Sequence, residues 1–202
     1  MALPGPVLGK LVLVPGNART QSATPTMTDT TAAFPPPALA ALAAQAAAIL
    51  TERKQTVGVA ETAAGGLVSA ALLSVPGASA YYAGGLTLYT LASRLAFGGW
   101  TEADRAGYRG PTPEIVAGLA AHARTALQST YAIGESGTAG PTGGITNRKP
   151  GYVVVAVVTP EGEVTRAVDT GVADRQTNMV RFAEEALKLL VEVLTAADKG
   201  KL

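Results

Sequence analysis

The chain has 202 residues, 48% hydrophobic and 15% charged, and its 16 basic and 15 acidic side chains leave a formal net charge of +1. At roughly 100–200 residues per domain this is one domain, large enough to hold a core without disulfides or a structural metal. With no cysteine and a single histidine, thiolate catalysis and Cys-ligated or multi-histidine metal sites are excluded, and the balanced charge gives no footprint for nucleic acid or an acidic membrane. In chain order, the apolar stretch 8–14 is hemmed by Pro4, Pro6 and Pro15, so no signal peptide is read there and a cytoplasmic protein is expected. Residues 17–37 are rich in Thr, Ser, Ala and Pro and almost free of large apolar side chains, which predicts a disordered tail over 1–36 and a folded domain over 37–202. Organelle targeting is the rival reading of that tail, and Met27 is a candidate start within it.

Three prolines at 35–37 suit a helix start, and an alanine-rich helix is expected over 38–53. A short strand over 56–61, a helix over 67–73 ending at Pro76-Gly77, a strand over 86–90 and a helix over 91–97 stopped by Gly98-Gly99 follow. Thr112-Pro113-Glu114 reads as a cap, a first-turn proline and an acid near the helix dipole, opening a helix to about residue 128. A strand over 130–135 leads to a glycine-rich loop, and the run 152–159 (Y-V-V-V-A-V-V-T) is a buried strand whose partner, 164–170, returns through Pro160-Glu161-Gly162-Glu163. The last helix carries Val180, Ala183, Leu187, Leu190, Val191 and Leu194 on one stripe. The alternation predicts a three-layer α/β/α sandwich with a mixed sheet.

Two segments could carry chemistry. In 60–66 (A-E-T-A-A-G-G), at the mouth of a helix, Thr62 could attack an acyl carbon while helix amides hold the oxyanion, or it could simply cap the helix. In 136–144 (S-G-T-A-G-P-T-G-G), four glycines could form an anion-binding nest or a plain surface loop; the spacing fits neither a phosphate-binding P-loop nor a dinucleotide fingerprint. Glu135 either polarises a ligand or is an ordinary strand-end residue. Tyr89 is either a binding or a packing side chain. His122 reads as a helix-surface or half-buried histidine.

Taken in order, these segments resemble the C-terminal domain of the CinA family, the nicotinamide mononucleotide deamidases. The family's A-E-S-C-T-G-G stands here as 60–66, its V-P-G-(A/S)-S turn as 75–79, its T-Y-S-N-x-x-K as 88–94, and its (S/T)-G-I-A-G-P-x-G-G loop as 136–144, followed by Lys149-Pro150-Gly151. The resemblance implies hydrolysis of a carboxamide to the acid and ammonia, with no cofactor or metal, by a homodimer or a larger even-numbered assembly acting on a small-molecule nucleotide. The family's serine, tyrosine and lysine fall on Thr62, Tyr89 and Arg94. The glycine segments supply Glu61, Ala64, Gly65, Gly66, Ser136, Gly137, Thr138, Gly140, Gly143 and Gly144 as the substrate-binding residues. Threonine is more crowded than serine, and arginine stays charged, so Arg94 cannot be the base. An Arg94-stabilised phenolate at Tyr89 is the expected substitute. A nucleotide-binding relative that has lost hydrolysis is the alternative.

Because the tail lacks apolar content, deleting residues 1–34 is expected to leave folding unchanged. A thermal melt in which the shortened chain loses more than about 4 °C, near 1 kcal/mol for a smaller domain, would contradict this.

Overall fold

The computed structural model describes residues 34–144 and 146–198. The expected disordered tail lies outside the described residues except for 34–36. Helix α1 (Pro37–Arg53) starts on its proline, buries Leu39, Ala43, Ala46, Ala47 and Leu50 at helical spacing, and ends at left-handed Lys54. Strand β1 (Val57–Glu61) is buried along its whole length and feeds α2 (Leu67–Leu73).

Strand β2 (Tyr82–Thr87) lies earlier than the expected 86–90. The Gly84-Gly85 pair belongs to the strand. A Cβ on Gly85 would lie 2.4 Å from Ser69 Oγ and 2.6 Å from Tyr82 Oη, so neighbours fill the space that a side chain would take. Residues 88–90 then form the approach to α3 (Leu91–Phe97), whose start is fixed by a capping box between Thr90 and Ser93. The short helix α4 (Glu102–Gly107), capped by Thr101 and Asp104, has no apolar stripe, so periodicity did not reveal it.

Helix α5 (Pro113–Ala126) begins where Thr112 accepts the Ile115 amide. Strands β3 (Tyr131–Gly137), β4 (Tyr152–Val158) and β5 (Glu163–Asp169) follow, and α6 (Arg175–Asp198) closes the domain. The sheet order is β2-β1-β3-β4-β5; β2 and β3 run parallel to β1, β4 is antiparallel to β3, and β5 is antiparallel to β4. Helices α1, α2 and α6 pack together on one face and α5 covers the other, giving the three-layer sandwich with a mixed sheet. On the larger face Ile133, Val153, Val155 and Val157 meet Phe182, Ala183, Leu187, Leu190 and Leu194 of the α6 stripe.

Strands β2 and β3 flank β1 on opposite sides, so the connections diverge there. In parallel sheets such a switch point opens a crevice beyond the carboxyl ends of the strands. Among the described residues no helix is long and apolar enough to cross a membrane.

Phe182 is fully buried, and its ring lies against Gly137 at the end of β3. Phe182→Ala is expected to destabilise the domain by about 3–5 kcal/mol, seen as a lower urea midpoint at unchanged slope. A loss below about 1 kcal/mol would mean that α6 does not anchor the sheet as described.

Candidate functional site

The carboxyl ends of β1 and β3 each deliver a buried carboxylate. Glu61 reaches under the start of α2, where Oε2 accepts from the Gly66 amide (2.9 Å) and the Val68 amide (3.1 Å). Its Oε1 accepts from the Ser69 amide (3.1 Å) and Ser69 Oγ (2.5 Å). A negative group satisfying a helix N-terminus is favourable on both hydrogen-bonding and dipole grounds. Glu135 does the same for the preceding turn: its Oε2 accepts from the Thr62 amide (2.8 Å) and the Ala64 amide (3.0 Å). Its Oε1 is buried and has no partner among the described residues. Burial pushes the Glu135 carboxyl up from its ordinary 4.5 to about 7, against the opposing pull of the Ala64 and Thr62 amides; the Glu61 charge adds to the rise and Arg94 counters it.

In front of these carboxylates runs a chain of side chains. Thr62 Oγ1 donates to Ser136 Oγ at 3.2 Å, and Arg94 Nη2 donates to the same oxygen at 3.2 Å. Arg94 Nε also donates to the Leu88 carbonyl at 3.3 Å. Arg94 is only 4% exposed, and its guanidinium lies against the rings of Trp100 and Tyr108, 5.0 and 4.9 Å from their centroids. Its Nη1 is buried without a partner among the described residues. Tyr89 stands apart, 60% exposed, its hydroxyl accepting from Arg175 Nη2 at 3.1 Å. The expected pairing of Arg94 with Tyr89 is therefore corrected. Arg94 is held inward by Ser136 and the two rings, and Arg175 at the start of α6 takes the tyrosine.

Thr62, Tyr89, Arg94, Tyr108, Thr138 and Arg148 surround a cleft of about 320 Å³, with Gly137 also in its wall. Thr138 and Arg148 are shared with an adjoining hollow of about 340 Å³ that includes Gly143 and Gly144. Ser136 lies beneath the cleft, hydrogen-bonded to two of its residues. Glu61, Ala64, Gly65 and Gly66 line neither hollow. The Gly66 and Ala64 amides are taken by Glu61 and Glu135, and a Cβ on Gly65 would lie 2.9 Å from Met179. Gly140 also faces protein, with the Ala173 carbonyl 2.5 Å from where its Cβ would be and its own carbonyl bonded to Arg175. A larger cavity of about 490 Å³ lies on the far side of Tyr108, between Trp100, Asp104, Glu114 and His122, and contains none of the candidate catalytic residues. His122 is half-buried there, its ring packed on Gly99.

A family model described as the CinA C-terminal domain matches residues 39–194. The chain belongs to that family. CinA-like proteins from Thermosynechococcus vestitus and Chloroherpeton thalassium are 34% and 32% identical to it over 152 residues, 74% of this chain and 36% of each relative. The chain thus spans about a third of the length of these relatives. Among solved structures, the competence/damage inducible protein CihA from Agrobacterium tumefaciens superposes with a TM-score of 0.74 at 24% identity, covering 79% of this chain and 97% of that one. A CinA superfamily protein from Enterobacter cloacae gives 0.72 at 26% identity, covering 77% and 92%.

Sequence reasoning about this CinA domain missed Trp100, Tyr108, Arg148 and Arg175. The lone tryptophan after Gly98-Gly99 was a usable signal, because an aromatic following a helix stop has to pack on something nearby. The two arginines gave none.

Glu135 also predicts a pH effect on stability. Its folded value near 7 lies above the unfolded value of about 4.3, so the folded chain holds a proton that the unfolded chain lacks between the two. Stability from this group is therefore lost as pH rises through that window. Thermal melts should show wild type falling relative to Glu135→Gln between about pH 5 and pH 7.5. Parallel curves would show that Glu135 does not carry that proton.

Proposed function

We propose that this domain hydrolyses the carboxamide of a pyridine mononucleotide, releasing ammonia and leaving the carboxylate, with nicotinamide mononucleotide as the substrate that the family likeness suggests. The observation that supports the reading best is the Thr62–Ser136–Arg94 chain at the base of the cleft, with one guanidinium nitrogen unused. Thr62 Oγ1 is the nucleophile. Its attack on the carboxamide carbon forms a C–O bond and moves the carbonyl electrons onto oxygen. Arg94 cannot accept a proton, but Nη1 can donate to that oxyanion. The Thr62 proton passes to Ser136 Oγ, which already accepts from that hydroxyl, as Ser136 hands its own proton to the carboxamide nitrogen. Collapse of the intermediate breaks the C–N bond, and the nitrogen departs as ammonia carrying the proton relayed from Thr62. Water then hydrolyses the threonyl ester and restores the hydroxyl.

Recognition of the rest of the molecule follows from the walls. Tyr89, 60% exposed with Arg175 over one face of its ring, offers the other face to a planar pyridine ring, whereas Tyr108 is already covered by Arg94 and Arg148. Arg148 and Thr138 offer a charge and a hydroxyl to a phosphate in the adjoining hollow.

Ammonia release from nicotinamide mononucleotide is the test. Wild type should turn over slowly, Thr62→Ser faster because the crowding methyl is gone, and Thr62→Ala not at all. Arg94→Lys should lower kcat by about 10²-fold with little change in KM, since lysine cannot hold Leu88 and Ser136 and still reach the oxyanion. Turnover that survives Thr62→Ala would move the nucleophile to Ser136 or to a water.

A further inference from the structure

We propose that Glu135 is a positioning residue for this site: through the Thr62 and Ala64 amides, its carboxylate holds the turn that keeps Thr62 Oγ1 on Ser136 and Arg94. This deepens the reading of Thr62 as nucleophile and rests on it for the catalytic consequence only.

The geometry is specific. One oxygen of Glu135 takes the amide of Thr62 itself and the amide two residues on, so the carboxylate fixes both ends of the segment that presents the hydroxyl. The next residue of β3, Ser136, accepts the Thr62 hydroxyl. Two consecutive β3 residues, whose side chains leave opposite faces of the sheet, therefore hold Thr62 by its backbone and by its side chain. Glu61 anchors the other end of the same turn on α2.

Fixing two amides does not by itself require an acid, because a glutamine carbonyl would accept them equally well. What marks Glu135 is the second oxygen, fully buried with no donor among the described residues, which a structural side chain would have no reason to keep. The charged groups acting on it are Glu61 at the end of β1 and Arg94 from α3. Its carboxyl is pushed to about 7, so both protonation states are populated near neutral pH. Hydrogen bonds to the ionised form are roughly twice as strong as those to the neutral acid. The turn is thus gripped firmly above neutrality and loosely below it, and Thr62 is aligned best when Glu135 is charged.

The test uses the full chain and two readouts. In ¹⁵N-labelled protein the Thr62 and Ala64 amide signals should move together on titration from about pH 5 to about pH 9. They should share a midpoint near 7, and both should be flat in Glu135→Gln. In the ammonia assay wild-type kcat should rise through the same pH, whereas Glu135→Gln should lack the rising limb and lose about tenfold or more in kcat at high pH, with KM kept. Amides that do not titrate in wild type, or that titrate unchanged in Glu135→Gln, would overturn the proposal. So would a Glu135→Gln enzyme with wild-type kcat across the range. If wild type releases no ammonia at all, the amidase reading fails, and the amide titration still decides whether Glu135 grips the turn. The wild-type titration needs no variant, so poor folding of Glu135→Gln would leave the test intact.

Discussion

The β1–α2 turn gives up five of its backbone amides to two internal carboxylates. Glu61 takes those of Gly66, Val68 and Ser69, and Glu135 takes those of Thr62 and Ala64. Helix N-termini beside parallel strands are ordinary anion sites because those amides are open. In this domain the chain supplies its own anions, so the electrostatic work of recognition passes to the side chains facing the cleft. Arg94 and Arg148 are the cations in its wall. The position of Thr62 follows from the same constraint, since the turn that carries it is closed by carboxylates on both sides.

That arrangement also explains which parts of the molecule were legible in the sequence. The valine run of β4, the hairpin at residues 160–163 and the α6 stripe each state one period unambiguously, and all were found as expected. Strand β2 was placed late because the run at 86–90 carries the strand-like side chains, whereas Gly84 and Gly85 inside the strand are close-approach positions that show no pattern. The same ambiguity governed the site. A glycine announces that something comes near, and sequence alone does not tell a ligand from the chain's own atoms. Gly65 meets Met179, Gly140 meets the Ala173 carbonyl, and Gly143 meets the Arg148 carbonyl. Thr62, Arg94 and Ser136 could be named from motif order, but their mutual bonds could not. The partner of Tyr89 lies 86 residues away on another element, with no local pattern to point to it.

Arg94 illustrates why a conservative replacement changes chemistry. Its planar fork reaches a carbonyl and a hydroxyl at once while its faces lie against Trp100 and Tyr108. An ammonium on a flexible stem has neither the fork nor the flat face. The side chain is therefore built into the wall as a fixed cation, which suits it to holding developing negative charge and unsuits it to taking protons.

A fixed, nearly buried cation has a consequence for its surroundings. Desolvating a guanidinium is costly unless negative charge lies close by, and Arg94 forms no ion pair among the described residues. Glu135 is a buried acid on which its field acts, and each of the two keeps one polar atom unpartnered. When Glu135 is ionised, its charge offsets that of Arg94 and the turn is gripped by charge; when Glu135 is protonated, that offset is lost. The permanent charge of arginine and the adjustable charge of glutamate thus form one unit. Replacing either residue alone changes the electrostatics felt by the other, so neither position can be interpreted as an isolated substitution.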